Sequence, residues 1–517
     1  MTTVRNDALR RIADPRRVIV VLEHPWTLRV TLIVFVVVGA FLSVAVHMPV
    51  VDGVGHVPYA GTIAPDEGRH IANILFYAGR SWTAGPIITD AAPHLLTMGE
   101  IERFPSYVYY YLMSFPVKPL IDLGAPYTVI VVMLRAVNVV IGALGLVVIH
   151  RLFRVMGFSA SIGALAVIVV ALTGRYEWQS AGVTYDTPAN TLFFLCLYWC
   201  ARMIRSSDRH WGHLVRAVTF GIAAIIVKYT FVPFVIVALV VAVVLVMQRD
   251  GLQAYAHPVR RLGAAFRLRP VMSSLWALFL AVTSAIMIER TGGNLLRYGQ
   301  FNPACVKVHT HQQCLSFDIY RRNYMAERAH DVAILHGTPP DQFDLFRFIG
   351  DWVSSYFQTM FFYRGRDTEW QVVTGVQVVG GVVLIIAVVA MLLTMRTLLR
   401  TRAFVWGTVV TSTYLVAMFF FNLRTFLRLD NQYAFAGRYI LPVYPLLVAF
   451  AIVSVIALWR TLPPGWRRAL ALPAVVIAVV VAATYAGPFA FAAYAHDPSW
   501  YTPLAQRVLP HFLTGVR

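Results

Sequence analysis

Eleven apolar runs divide the chain, at roughly 30–48, 127–149, 158–174, 188–204, 214–229, 230–247, 273–289, 371–395, 403–421, 439–459 and 469–492. An α-helix needs about 20 such residues to cross about 30 Å of hydrocarbon, and several runs are shorter, so their ends are soft by a few residues. The pattern predicts an all-α polytopic membrane protein with about eleven transmembrane helices. Between the first two runs the period changes. With Pro65 at the first helical position, Asp66, His70, Asn73 and Tyr77 form a polar stripe, and Ile71, Ile74, Leu75 and Ala78 an apolar one. That predicts an amphipathic helix lying along the membrane surface with its acids facing water.

Arginine is distributed one-sidedly. Arg151 and Arg154, then Arg202, Arg205, Arg209 and Arg216, then Arg249, Arg260, Arg261, Arg267 and Arg269, then Arg396, Arg400 and Arg402, then Arg460, Arg467 and Arg468 share one face with the N-terminus. The positive-inside rule makes that face cytoplasmic. The stretch 214–247 has arginine on both flanks, so it crosses twice, with its break at Lys228-Tyr229-Thr230 on the outer face. The expected organisation is a cytoplasmic segment 1–29, an N-terminal transmembrane module 30–289 with a catalytic first outer loop 49–126, a second large outer loop 290–370, a C-terminal transmembrane module 371–492 and an extracytoplasmic tail 493–517. Loops of that length without a role are uncommon. The arginine-rich start reads as a retained signal-anchor, because no A-x-A-like site closes the first run.

Composition agrees with the periodicity. The chain is 58% hydrophobic and 13% charged with a mean hydropathy of +0.65, against ~45–50% and ~25% for soluble domains. The net charge of +19 falls mostly in the cytoplasmic loops, so it reports topology and not nucleic-acid binding. Cys305 and Cys314 lie in an oxidising outer loop where they can close a small ring, whereas Cys196 and Cys200 are four apart on one membrane helix and read as packing residues. Paired thiols do not ligate metal, so His309 and His311 between them do not make a zinc site.

Several polar residues fall at the outer ends of spans: Asp186 in Thr184-Tyr185-Asp186-Thr187-Pro188, Lys228, and Arg438 in Gly437-Arg438-Tyr439-Ile440-Leu441-Pro442. Ionisable groups at membrane depth are costly and usually functional. Each has a plainer reading. Asp66 and Glu67 suit the positive end of a helix dipole, Asp186 suits an N-cap, Arg438 snorkelling, and Arg135 a pair within the bundle. The run from Phe104-Pro105 to Tyr111 reads as an anchor at the headgroup level. Taken together, two carboxylates and two cations at one outer mouth suit a reaction on a lipid phosphate.

At these residues the chain resembles the GT-C superfamily of membrane glycosyltransferases, which use polyprenyl-phosphate-linked sugars. The resemblance lies in the first-loop acidic pair Asp66-Glu67 with His70, the Pro/Tyr-rich stretch, Asp186 heading the fourth span, the Lys228-Tyr229-Thr230 turn and the late Gly437-to-Pro442 motif. It implies an inverting transfer to an extracytoplasmic envelope acceptor (glycan, lipid or protein), at a bacterial inner membrane with the site facing outward. Asp66 is implied as catalytic base, with Glu67 and His70 beside it orienting the sugar or tuning Asp66. Asp186, Lys228, Arg438 and Tyr439 are implied in substrate binding. The resemblance makes no cofactor certain. A divalent metal (Mg or Mn) stays open, because in some branches the acid corresponding to Asp186 helps bind one, yet Thr184 takes the first place of an Asp-x-Asp. The rival is a transporter or lipid/glycan flippase, whose ionisable residues usually sit near mid-membrane in broken helices and repeated halves. A non-catalytic subunit of an envelope complex needs neither Asp66 nor Arg438. Nothing in the sequence names the sugar, the acceptor or the polyprenyl length.

Overall fold

A computed structural model describes residues 15–46, 63–64, 66–87, 103–207, 210–336, 343–362, 372, 374–429, 432, 435–496 and 500–508. Among them the elements are helices, and the only strand-like pairings are two isolated bridges. Pro65, expected to open the amphipathic helix, lies outside the described residues. Nine described helices are long and apolar enough to cross a membrane. The protein is a multi-pass membrane protein.

The chain enters through α1 (Pro15–Glu23) and α2 (Pro25–Ala45), and reaches the outer-loop helices α3 (Glu67–Ala78) and α4 (Tyr107–Ser114). Next comes α5 (Tyr127–Met156), stopped by Gly157, whose φ of 96° suits a residue without Cβ. The expected third span is a 12-residue helix, α6 (Ala160–Ala171), followed by a break and α7 (Gly174–Ala181). The expected fourth is α8 (Asp186–Arg205), of 20 residues and interrupted by polar side chains; neither is among the nine. Then α9 (His210–Val227) and α10 (Val232–Asp250) are joined by a 3-10 turn, Tyr229–Phe231, at the expected break. A short helix, α11 (Pro258–Leu268), in a segment expected on the cytoplasmic side, precedes α12 (Pro270–Met287). The segment expected as the second large loop, 290–370, contains α13 (Leu345–Phe361), and after it run α14 (Thr374–Leu393), α15 (Arg402–Leu429), α16 (Tyr444–Thr461), α17 (Pro464–Tyr485) and α18 (Gly487–Tyr494).

Close approach depends on small residues. A Cβ on Gly39 would meet the Val139 side chain at 2.8 Å, and one on Gly142 would run into the Ser180 side chain, so these glycines let α2, α5 and α7 approach closely. The breaks at 172–173 and 486 satisfy each other. Thr173 and Ala486 form an antiparallel bridge, the Gly487 N–H donates to the Leu172 carbonyl at 2.6 Å, and Thr173 Oγ1 lies 2.9 Å from the Tyr444 hydroxyl. In lipid such freed backbone groups must be paired within the protein, and each broken helix supplies what the other lacks.

The outer loops form their own core. Ile71, Ile74, Tyr77, Tyr107, Tyr109 and Tyr110 pack with the outer end of α5 and with Cys305, Cys314 and Phe317. Cys305 and Cys314 are disulfide-bonded. Tyr107 donates to Glu289 Oε2 at 3.1 Å, and the Asn294 amide donates to the Arg103 carbonyl at 2.8 Å, so the second loop folds over the first. This corrects two expectations. The amphipathic helix does not lie on a membrane surface with its acids in water, and the tyrosine run is not an interfacial anchor. Both stripes of α3 are covered by protein, and Tyr107, Tyr109 and Tyr110 are buried.

Candidate active site

Arg135 fixes the frame. From one face of α5 it forks onto Glu67, Nε to Oε1 at 2.8 Å and Nη2 to Oε2 at 2.9 Å, while Nη1 donates to the carbonyls of Ser43 and Val46 at the end of α2. A cation there also answers the negative end of the helix dipole. Glu67 Oε1 accepts from the Val183 N–H at 2.9 Å. One turn along α5, Asn138 donates to the carbonyls of Gly182 and Thr184. Glu67 is thereby wholly buried and its carboxylate is used up. This corrects its expected catalytic place beside Asp66: a carboxylate without exposure touches no substrate. Arg135 pairs within the bundle, its plainer reading.

Asp66, the residue before α3, points the other way. Its backbone is left-handed, φ 65°, and its side chain caps no N–H. Instead Oδ1 lies 3.2 Å from Arg69 Nη1, and Oδ2 accepts from Arg438 Nη1 at 3.1 Å. Arg438 sits in the 3-10 turn Gly437–Tyr439 ahead of α16. That turn is pinned: the Gly437 N–H donates to Thr359 Oγ1 at 2.7 Å, and Tyr414 donates to the Tyr439 carbonyl at 2.6 Å. The guanidinium also reaches the Tyr439 hydroxyl at 3.0 Å. It is drawn inward to an acid, which the snorkelling reading does not predict.

Asp186 opens α8 without capping it. Oδ1 meets Lys228 Nζ at 2.6 Å and Oδ2 accepts from Gln179 Nε2 at 3.0 Å. Lys228 lies over the rings of Tyr439 and Tyr185, 5.2 and 5.8 Å from their centroids, so the two cations share the Tyr439 side chain. His70, one turn into α3, has Nδ1 at 3.0 Å from the Tyr110 hydroxyl and its ring 4.6 Å from that of Tyr185. Burial pushes its pKa down from 6.5 to about 4, although Asp66 and Asp186 pull the other way. The imidazole is therefore neutral at ordinary pH.

Asp66, His70, Asp186, Lys228, Arg438 and Tyr439 thus meet at one mouth, and Glu67 stands behind it. The residues do not fit a divalent cation. Both acids already face positive side chains, and among the described residues no three His, Cys, Asp or Glu converge. Sequence reasoning passed over Arg69, Gln179, Tyr110 and Tyr185. Arg69 had a signal, its i+3 spacing from Asp66; the others gain meaning only from the fold.

No family model matches the chain, and no curated protein matches it in sequence. Among solved structures it is similar to the archaeal oligosaccharyltransferase AglB from Archaeoglobus fulgidus in complex with an inhibitory peptide and a dolichol-phosphate, at 15% identity and a TM-score of 0.43, over 90% of this chain and 56% of that one. It is also similar to the apo form of the Archaeoglobus fulgidus oligosaccharyltransferase, at 14% identity and a TM-score of 0.42, over 90% and 57%. The chain spans little more than half the length of either.

Proposed function

We propose that this mouth transfers a sugar from a polyprenyl-phosphate donor to a hydroxyl of an extracytoplasmic envelope acceptor, with inversion. One observation carries the reading: a carboxylate suited to take a proton and a guanidinium suited to hold phosphate touch each other, from opposite ends of the chain. A glycosyl phosphate already has a good leaving group, so what the reaction needs is a base for the acceptor and positive charge for the departing phosphate. The donor phosphate competes with Asp66 for Arg438, whose planar fork suits phosphate oxygens, and Lys228 adds a point charge. Asp66 Oδ2, released, accepts the acceptor's proton as its oxygen attacks the anomeric carbon. The bond from that carbon to the phosphate oxygen breaks, and the electron pair leaves on the phosphate. Neutral His70, itself buried, backs the half-buried Tyr185 ring, which offers an aromatic wall for the sugar. On the arginine-derived topology the mouth opens outside the cytoplasm of a bacterial inner membrane.

Mass spectrometry of envelope glycans from cells with and without the gene tests this. A missing sugar is expected. Unchanged glycans, together with sugar transfer undetectable in purified protein, would overturn it.

A transporter reading draws on a different observation. Glu177, in the first turn of α7, is buried with neither oxygen hydrogen-bonded, against Gly487 where the two broken helices meet. An ionisable residue beside broken helices is the usual pointer to a transport pathway. Substrate flux through proteoliposomes that Glu177→Gln abolishes, with Asp66→Asn harmless, would favour it over the enzyme.

A further inference from the structure

The cytoplasmic side holds a helix whose chemistry the mouth does not use. In α11 successive residues turn by about 100°, which puts Val259, Leu262 and Phe266 on one flank and Arg260 and Arg267 about a third of a turn away. The ends of that flank have little protein over them, Val259 at 84% exposed and Phe266 at 40%, while Leu262 between them is half-buried. Leu268, Val271 and Met272, at the junction with α12, are also exposed. Arg260, Arg267 and Arg269 are exposed, and among the described residues none of the three has an acidic partner. From Gly251 to Ile288 there is no Asp or Glu at all, against four arginines. A basic helix with one bare apolar flank, joined directly to a membrane span, is suited to an interface where hydrocarbon meets negative charge.

We propose that α11 lies in the inner-leaflet interface, its Val259–Phe266 flank among acyl chains and Arg260, Arg267 and Arg269 on the headgroups of anionic phospholipid. The charge complementarity names the occupant, since zwitterionic lipid would meet the apolar flank equally well but leave the arginines unanswered. The site is independent of the transfer reaction and rests only on the cytoplasmic side assigned by the arginines.

Full-length protein in nanodiscs of phosphatidylcholine, with and without phosphatidylglycerol, tests it by native mass spectrometry of the lipids retained after detergent release. Preferential retention of phosphatidylglycerol is expected, weakened by salt. It should fall by roughly fivefold per charge removed in an Arg260→Gln, Arg267→Gln, Arg269→Gln variant. The corresponding triple Arg→Lys variant should keep it. In a separate Phe266→Trp variant, brominated acyl chains should quench the new indole's fluorescence. Equal retention of the two lipids by wild type, no loss in the glutamine variant, or an unquenched indole would each overturn the proposal.

Discussion

Asp66 carries a left-handed backbone, φ 65°, and this decides which substitutions are informative there. Asparagine is among the few residues that tolerate that region, so Asp66→Asn keeps the turn and removes the proton acceptor. Sugar transfer by the purified variant should fall by roughly 10²–10⁴-fold, with its melting temperature and donor binding close to wild type. Glu67 should behave in the opposite way. Its removal strands Arg135 without exposure, and breaking such a buried pair costs about 3–5 kcal/mol. Glu67→Ala should therefore lose thermal stability and yield of folded protein, where Asp66→Asn does not. His70 gives a pH signature. Its folded pKa of about 4 lies below the ordinary 6.5, so below 6.5 the unfolded chain takes up a proton that the folded one refuses. Stability is full above 6.5, declines as pH falls towards 4, and flattens below. Thermal unfolding against pH should show that slope, and His70→Gln should remove it.

At the scale of elements, the turn that presents Arg438 is built on a contact no side chain fits. A Cβ on Gly437 would lie 2.8 Å from the backbone nitrogen of Met360, so Gly437→Ala must shift the turn and with it the guanidinium. Donor affinity, measured by titration of the purified protein, should drop in that variant and in Arg438→Ala, while Arg438→Lys should recover only part, because a point charge does not replace a fork. Most helices were legible in the sequence: the apolar runs fall on helices, although the third and the last each run across a break, and the break at Lys228 follows from arginine on both flanks. What covers a helix was not. The period of α3 sorted Asp66 and His70 from Ile71 and Ile74, but it carries no information on whether water or a second loop lies over the polar stripe. The third run ends early for a reason visible only in the fold, namely that α6 finds its missing backbone donor on Gly487. The tyrosines misled because a buried hydroxyl with partners and an interfacial one have the same composition.

At the scale of the molecule, the candidate site was legible as a set but not as an arrangement. Asp66, Asp186, Lys228 and Arg438 could be placed on one side of the membrane from loop charge alone. Their pairing, Asp66 with Arg438 and Asp186 with Lys228, depends on how α5, α8, α9 and α16 gather, which no local pattern encodes. The disulfide between Cys305 and Cys314 closes a short ring within the second loop, and both cysteines pack in one core with the tyrosines of the first. Being short, its ring should contribute at most about 3 kcal/mol. A Cys305→Ser, Cys314→Ser variant should melt earlier yet keep transfer at low temperature, and mass mapping of unreduced wild type should find the bond.

Asp66 and Arg438 are 372 positions apart. A ribosome adding about 5–20 residues per second makes the second roughly 20–70 s after the first. Until Arg438 is made, the growing chain holds Asp66, and later Asp186 and Lys228, without the guanidinium that the proposed transfer needs for the donor phosphate. On the proposed function, a chain that stalls before Arg438 is expected to be inert towards lipid-linked sugar, and transfer begins only once Arg438 has joined Asp66.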